Sequence, residues 1–328
     1  MKTLILSHGD ADGVTAAAIA KSVLGGEVVF THPAGLLGDF REFAKGFERV
    51  VVLDISLDEA TLHLLNEELR AFPGNVIYID HHPLPLSGAL SAPNLEFLHE
   101  EGPCAAELVF RFLQPSWEMS RVALYGAIGD YALASPWVKK ALEKWDIKSL
   151  VMQAGVLVLA LDGLGRNYQA KRSVVESLAR NELPSKIPGL LQLAAEQSAA
   201  IEKMRLMLPE LVKTTDLLAF VINPPASVGL AAFYAAVITA KPVGVSVEEK
   251  KGMYVGSVRT RDPRINLNLA LRETALKVGG SGGGHSFAAG FRIPLDKLSN
   301  FLLLLEEAIN NQLESGANVN TSLPSMEM

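Results

Sequence analysis

Between Ser7 and Gly13 the chain reads Ser-His-Gly-Asp-Ala-Asp-Gly, which sets an imidazole and two carboxylates, His8, Asp10 and Asp12, on alternate residues. Alternate residues of an extended segment project to one side. The three therefore converge if the segment stays extended, and ligands clustered in this way call for a divalent cation. Three more candidates follow: Asp54 after Val50-Val-Val-Leu53, His81 in Asp80-His81-His82, and Asp130 in Gly126-Ala-Ile-Gly-Asp130. Carboxylate oxygen mixed with imidazole nitrogen favours Mn2+ or Mg2+, with zinc or cobalt as substitutes, and the lack of cysteine ligands argues against a structural zinc. Six donors exceed the usual needs of one ion. They suit two ions sharing one carboxylate, the arrangement that activates a water and clamps the oxygens of a phosphoryl group, so phosphoester hydrolysis is the reaction implied. Each acid alone also fits a helix cap, as with Asp12 before Val14, or Ser56 or Asp58 before a helix from Leu57. Three acids at strand ends, with two histidine sites, favour the metal reading.

The elements that must position these residues alternate in type from Thr3 to Asp80. Short apolar strands at 3–7, 28–31, 50–55 and 76–80 are separated by helical stretches at 14–23, 37–45 and 57–70. Continuous β-branched runs mean strands covered on both faces, so the alternation predicts a parallel α/β sheet, whose ligands gather outside the carboxyl ends of the strands. From Gly102 to about Leu183 the apolar spacing becomes helical. A Pro-containing stretch, 183–188, leads into a long amphipathic segment that reads as a helical connector. From Thr215 strand-helix-strand character returns, ending in a helix at 295–312. The expected division is a catalytic α/β domain over 1–185, a helical linker over 186–214, a smaller α/β domain over 215–313 and a disordered tail over 314–328.

With 328 residues, 49% hydrophobic and 20% charged, the chain is long enough to bury sizeable cores. A net charge of −6 argues against coating long nucleic-acid duplexes, which relies on many Lys and Arg replacing counterions, but is compatible with a small phosphate ligand held locally. The single cysteine, Cys104, excludes an internal disulfide and suits a reducing compartment, so a cytoplasmic location is expected. Cys104 itself reads as a packing residue, and His32, His63 and His99 as turn or helix-surface residues. No secretory signal is read at the start, and the most apolar stretch, 150–161, is broken by Gln153 and Gly155 and is too short to span a bilayer. No membrane partner is expected, and a homodimer is left open, with Trp117, Trp137 and Trp145 read as core or subunit packing.

Near the end, Gly279 to Gly284 precede His285. Glycines expose backbone amides that can cradle an anion, or they form a flexible turn. Arg259 and Arg261, which end a strand, can fork onto phosphate oxygens or simply be a solvated strand end, and with His285 they weigh toward the anion reading of the glycines. The run lacks the Gly-Lys-Ser/Thr of a triphosphate loop.

These residues resemble the motifs of the DHH phosphoesterases. His8-Gly-Asp-Ala-Asp-Gly13 is similar to the first motif, Leu53-Asp54 to the second, Asp80-His81-His82 to the third and Gly129-Asp130 to the fourth. Gly282-Gly-Gly-His285-Ser-Phe-Ala-Ala-Gly290 resembles the C-terminal signature of RecJ-like nucleases, nanoRNases and cyclic-dinucleotide phosphodiesterases. The resemblance implies that His8, Asp10 and Asp54 hold one Mn2+ and Asp12, Asp54, His81 and Asp130 the other. It implies Asp54 as the bridge, His82 near the scissile phosphate and Asp80 orienting its neighbours. Gly283, Gly284 and His285 would receive a nucleotide and Arg259 its phosphate, with the substrate in a cleft between domains. Where many bacterial relatives carry Thr after the fourth-motif Asp, this chain has Tyr131, and it lacks the added nucleic-acid-binding domain of full RecJ. Gly282 to His285 argue against the family II pyrophosphatases, which share only the first domain.

The function expected is two-metal hydrolysis of short single-stranded oligonucleotides to nucleoside monophosphates. The alternatives are hydrolysis of a small signalling nucleotide, cyclic dinucleotide or 3′-phosphoadenosine 5′-phosphate, and a non-catalytic nucleic-acid-binding module.

Overall fold

The computed structural model describes residues 1–85 and 87–316. The chain divides into two compact units, Met1–Ser198 and one from Ala199 onward.

In the first unit the alternation expected over the first 80 residues is present: β1 (Thr3–Ser7), α1 (Ala11–Leu24), β2 (Glu27–Phe30), α2 (Leu36–Phe43), β3 (Arg49–Leu53), α3 (Leu62–Ala71), β4 (Asn75–Asp80) and β5 (Leu95–His99). Among the described residues the strands form one five-stranded parallel sheet in the order β2-β1-β3-β4-β5. Both faces are covered, which is why the strands read as unbroken apolar runs. Leu4, Leu6, Val50, Val52, Val76 and Tyr78 pack beneath Phe40 of α2 and Leu65 and Leu69 of α3. Ile5, Val51, Leu53 and Ile79 pack on the other face against α1 and the helices that follow. Those are α4 (Ala105–Leu113), α5 (Ser120–Gly129), α6 (Pro136–Leu142), α7 (Ile147–Leu164) and α8 (Tyr168–Ala179).

β5 has no counterpart among the expected strands, and α8 falls within the helical region expected over 102–183 without a distinct signal of its own. β5 is short and half-buried at the sheet edge, and α8 turns only Lys171, Val174, Val175, Ser177 and Leu178 inward, so neither carries a strong apolar period. The helix expected from Leu57 starts at Leu62, because Asp58 instead makes a local turn by accepting from Ala60 N at 3.0 Å. The apolar stretch read at 150–161 belongs to the 18-residue helix α7, long and apolar enough to cross a membrane by length and composition alone. Its Leu150, Ala154, Leu157, Ala160 and Leu161 lie in the core, and Gln153 exchanges hydrogen bonds with Ser185 at 2.9 Å.

α9 (Leu190–Leu211) runs through the division between units. The second unit then holds β6 (Lys213–Thr214), β7 (Leu218–Ile222), α10 (Val228–Thr239), β8 (Val243–Lys250), β9 (Met253–Thr260), α11 (Leu267–Lys277), β10 (Ser281–Gly284), β11 (Ala288–Pro294) and α12 (Leu298–Gly316). Its described strands make a six-stranded mixed sheet in the order β10-β11-β9-β8-β7-β6, with only β7 and β8 parallel. One face buries Val245, Val258, Phe291 and Ile293 against Leu271 of α11 and Phe301 and Leu305 of α12. The glycine run, read as a nest or flexible turn, is a strand: Ser281 to Gly284 pair with Arg292 to Ala289 of β11. Glu314 to Gly316, placed in the expected tail, continue α12, and the rest of that tail, 317–328, lies outside the described residues.

Candidate metal centre

The order β2-β1-β3 reverses the direction of winding at β1, so a crevice opens at the carboxyl ends of β1 and β3. His8 and Asp10 follow β1, and Asp54 follows β3. The backbone joins them, His8 N donating to Leu53 O at 3.3 Å and Asp54 N to Ile79 O at 3.0 Å.

The segment after β1 does not stay extended, which corrects the expected convergence of three alternate residues. Asp10, not Asp12, is the N-cap of α1: its Oδ1 accepts from Gly13 N at 3.0 Å while Oδ2 lies 2.8 Å from His8 Nδ1. Gly13 lets the helix start here, since a Cβ at that position would sit 2.4 Å from His8 O. Asp12 falls in the first helical turn and points elsewhere. Its carboxylate receives Ala105 N at 2.6 Å and Ala106 N at 2.9 Å, so the positive end of α4 holds it. Asp130 is brought near by α5, and Gly126 allows the approach: a Cβ there would meet Thr15 Oγ1 at 2.5 Å and Asp12 Oδ1 at 2.8 Å.

Two sets of donors result, and they share Asp54. One donor atom from each of His8, Asp10 and Asp54 lies within 4.8 Å of the others, and the same holds for Asp12, Asp54 and His81. His81 Nε2 is 3.4 Å from Asp54 Oδ1 and 3.7 Å from both Asp12 Oδ2 and Asp130 Oδ2. Most of these spacings exceed a hydrogen bond. Asp54 is 2% exposed, its Oδ2 is buried with no hydrogen-bond partner, and its backbone is left-handed at φ 57°.

The electrostatics describe a site short of positive charge. Burial, then Asp10, Asp12, Asp80 and Asp130, push the Asp54 carboxyl well above the ordinary range. Burial followed by Asp12 and Asp10 carries Asp130 to about 8. Asp12 is raised by burial despite His81 and the amides of α4. Of the four aspartates among the six candidate ligands, Asp10 alone is held below the usual range, where His8 overcomes the desolvation. Among the described residues no lysine or arginine forms an ion pair with Asp12, Asp54 or Asp130. Burial lowers His81, which favours the neutral imidazole that ligates metals. An orphaned buried carboxylate oxygen and a cluster of acids with depressed ionisation are what divalent cations would satisfy, so the residues fit the group.

His82 is held differently. Its Nδ1 lies 2.8 Å from Asp80 Oδ1 and its amide donates to Asp80 Oδ2 at 3.2 Å. Burial opposes the charged ring, but Asp80 outweighs it and raises His82 to about 9. His99, read from sequence as a turn or helix-surface residue, ends β5 opposite Asp80 and donates Nε2 to His82 O at 2.6 Å. Replacing Asp80 by Asn should drop the His82 pKa in metal-free protein from about 9 toward the ordinary value of about 6.5. Histidine NMR titration measures this, and an unmoved titration would remove Asp80 as the cause.

The second-unit candidates gather at one end of their sheet. Arg259 pairs with Ala288 and Gly284 with Ala289, Gly284 N donates to Asn268 Oδ1 at 3.1 Å, and His285 N donates to Ala288 O at 2.9 Å across the turn. Gly283 sits opposite Gly290, and Arg261 lies past the end of β9, exposed.

The carboxyl edge of the parallel sheet thus carries two donor sets that share one aspartate. The chain belongs to the DHH family: residues 2–134 match the DHH family N-terminal domain and residues 218–311 the DHHA1 domain. Among solved structures, RecJ in complex with Mn2+ from Thermus thermophilus is 21% identical over 94% of this chain and 52% of its own, with a TM-score of 0.66. This chain thus spans about half the length of that protein. An exonuclease RecJ bound to manganese is 22% identical over 97% of this chain and 92% of its own, at 0.62. PggH, a pGpG-specific phosphodiesterase from Vibrio, is 17% identical over 95% of this chain and all of its own, at 0.58. No curated protein sequence matches the chain.

Proposed function

We propose that this protein is a two-metal phosphodiesterase, using Mn2+ or Mg2+, that hydrolyses short single-stranded oligonucleotides to nucleoside monophosphates. The observation that carries the reading is the pair of donor sets meeting at Asp54. His8, Asp10 and Asp54 would hold one ion, and Asp12, Asp54, His81 and Asp130 the other. Bound divalent ions at such a site supply a nucleophilic water at neutral pH and neutralise charge developing on phosphate oxygens.

The chain's own residues do the rest. The α4 amides fix the Asp12 carboxylate in place, and the α1 cap fixes Asp10. Asp80 keeps His82 cationic at neutral pH, next to where an anionic phosphate would lie, and His99 fixes its backbone. In the second unit Arg259, Gly283, Gly284 and His285, with Arg261 beside them, would hold a nucleotide. A chain of net charge −6 has little basic surface for long strands, which favours short substrates.

Labelled two- to five-residue oligonucleotides incubated with protein and Mn2+ should be shortened to monophosphates, with long duplexes left intact. Absence of cleavage, or equal cleavage of duplexes, would sink the proposal. A second reading, hydrolysis of a small signalling nucleotide, draws on the same donor sets, whereas the likeness to an enzyme specific for pGpG, itself a linear two-residue oligonucleotide, favours the first. Faster turnover of a cyclic dinucleotide or 3′-phosphoadenosine 5′-phosphate in a side-by-side comparison would put it first.

A further inference from the structure

We propose that Lys171 is a positioning residue for the His8/Asp10 half of the metal centre, a reading that rests on the two-ion site above. Lys171 lies in α8 and only 6% of it is exposed. Its Nζ donates to the carbonyl of Gly9, the residue between His8 and Asp10. Three neighbouring carbonyls are bonded from nearby backbone or from the helix itself: Ser7 O by Thr31 N at 2.9 Å, Asp10 O by Val14 N at 3.0 Å, and Ala11 O by Thr15 Oγ1 at 2.8 Å. Gly9 O is tied from 162 residues away.

The helix that delivers the lysine is firmly placed. Asn167 caps it, accepting from Ala170 N at 3.1 Å. Tyr168 packs on Phe30 with ring centroids 5.8 Å apart, and Val174, Val175 and Leu178 are buried in the core. The space over Gly9 is bounded by Lys171 Nζ and the Tyr168 ring, each 3.7 Å from where a Cβ would stand.

A buried ammonium is costly unless it is paired, and its partners here explain why it is tolerated. It sits on the backbone side of the turn, bonded to Gly9, with the Asp10 and Asp162 carboxylates supplying the opposing charge. Its effect is to keep the two ligands at a fixed separation, which a glycine between them would otherwise leave free to vary.

The test uses the full chain stripped of metal, comparing wild type with Lys171→Met and Lys171→Arg. Mn2+ titration by calorimetry should find two ions in wild type. In Lys171→Met one of them should bind about tenfold or more weakly, with the other unchanged, and Lys171→Arg should restore it. Amide exchange of residues 8–13 without metal should quicken in the Met variant and match wild type in the Arg variant. Should the Met variant not fold, the Arg variant against wild type decides: equal exchange and equal Mn2+ binding support the proposal, and a loss of either overturns it. Unchanged binding in a folded Met variant, equal weakening of both ions, or no recovery with Arg also overturns it while leaving the two-ion reading intact. Wild type that binds no Mn2+ overturns both.

Discussion

Asp54→Asn should lower turnover by about 10³-fold or more and, in the same molecule, raise the melting temperature of the metal-free protein. Both effects come from one atom set. Asp54 is the only residue in both three-residue donor groups that make up the proposed site, so both ions would draw on its charge. Losing several kcal/mol of charge stabilisation at the reacting phosphate, at about 1.4 kcal/mol per tenfold, gives that scale. Without metal the same carboxylate is a liability, buried, missing a partner on Oδ2 and crowded by Asp10, Asp12, Asp80 and Asp130. A neutral amide of the same shape relieves the repulsion. Asparagine is the required substitution because Asp54 stands at φ 57°, where Asn is tolerated and Ala carries a strain of about 1–2 kcal/mol. Steady-state kinetics on a dinucleotide, with thermal unfolding in chelator, read the two effects. Retained turnover would show that Asp54 does not bridge, and a lower melting temperature would show that its charge is compensated by protein groups.

Much of this was legible in the chain because local chemistry and fold agree along the first 80 residues. Val50-Val-Val-Leu53 is apolar at every position since α2, α3 and α1 cover both faces of β3, and a strand of that kind can only be interior and parallel. What was not legible is direction. Sequence spacing places His8, Asp10 and Asp12 in one row, yet a hydrogen bond from Gly13 N to Asp10 ends the strand geometry two residues early and turns Asp12 toward α4. The residues that support the site were harder still. Lys171 and His99 act through backbone carbonyls of Gly9 and His82, contacts that depend on where two weakly patterned elements dock. The glycine run carried its importance openly but not its form. With no side chains to alternate, Gly282 to Gly284 give no strand signal, and it is pairing with β11 that makes them one.

Metal removal should leave a protein whose first unit becomes less stable as the pH rises, and Mn2+ should reverse that trend. Asp130 keeps its proton in the folded, metal-free protein up to about pH 8, whereas the unfolded chain gives it up near the ordinary carboxylate value of about 3.9. Between those limits the folded state holds the extra proton, so its advantage is complete at acid pH and is lost as the pH climbs through 8. Asp12 and Asp54, also raised, act in the same direction, as does His82 between about 6.5 and its folded value of about 9. Asp10 and Asp80 are depressed and act oppositely, but their contribution is lost only below the ordinary carboxylate range and leaves neutral pH untouched. Divalent ions displace the retained protons, so their stabilisation grows with pH. At about 100 times Kd each ion adds about 2.7 kcal/mol. Thermal unfolding in chelator at pH 5, 6.5 and 8, repeated with Mn2+, should show a melting temperature that falls by several degrees without metal and holds or rises with it. A metal-free curve that climbs toward pH 8 would mean that the acids around Asp54 are ionised and matched by protein charge, leaving no electrostatic demand for a cation.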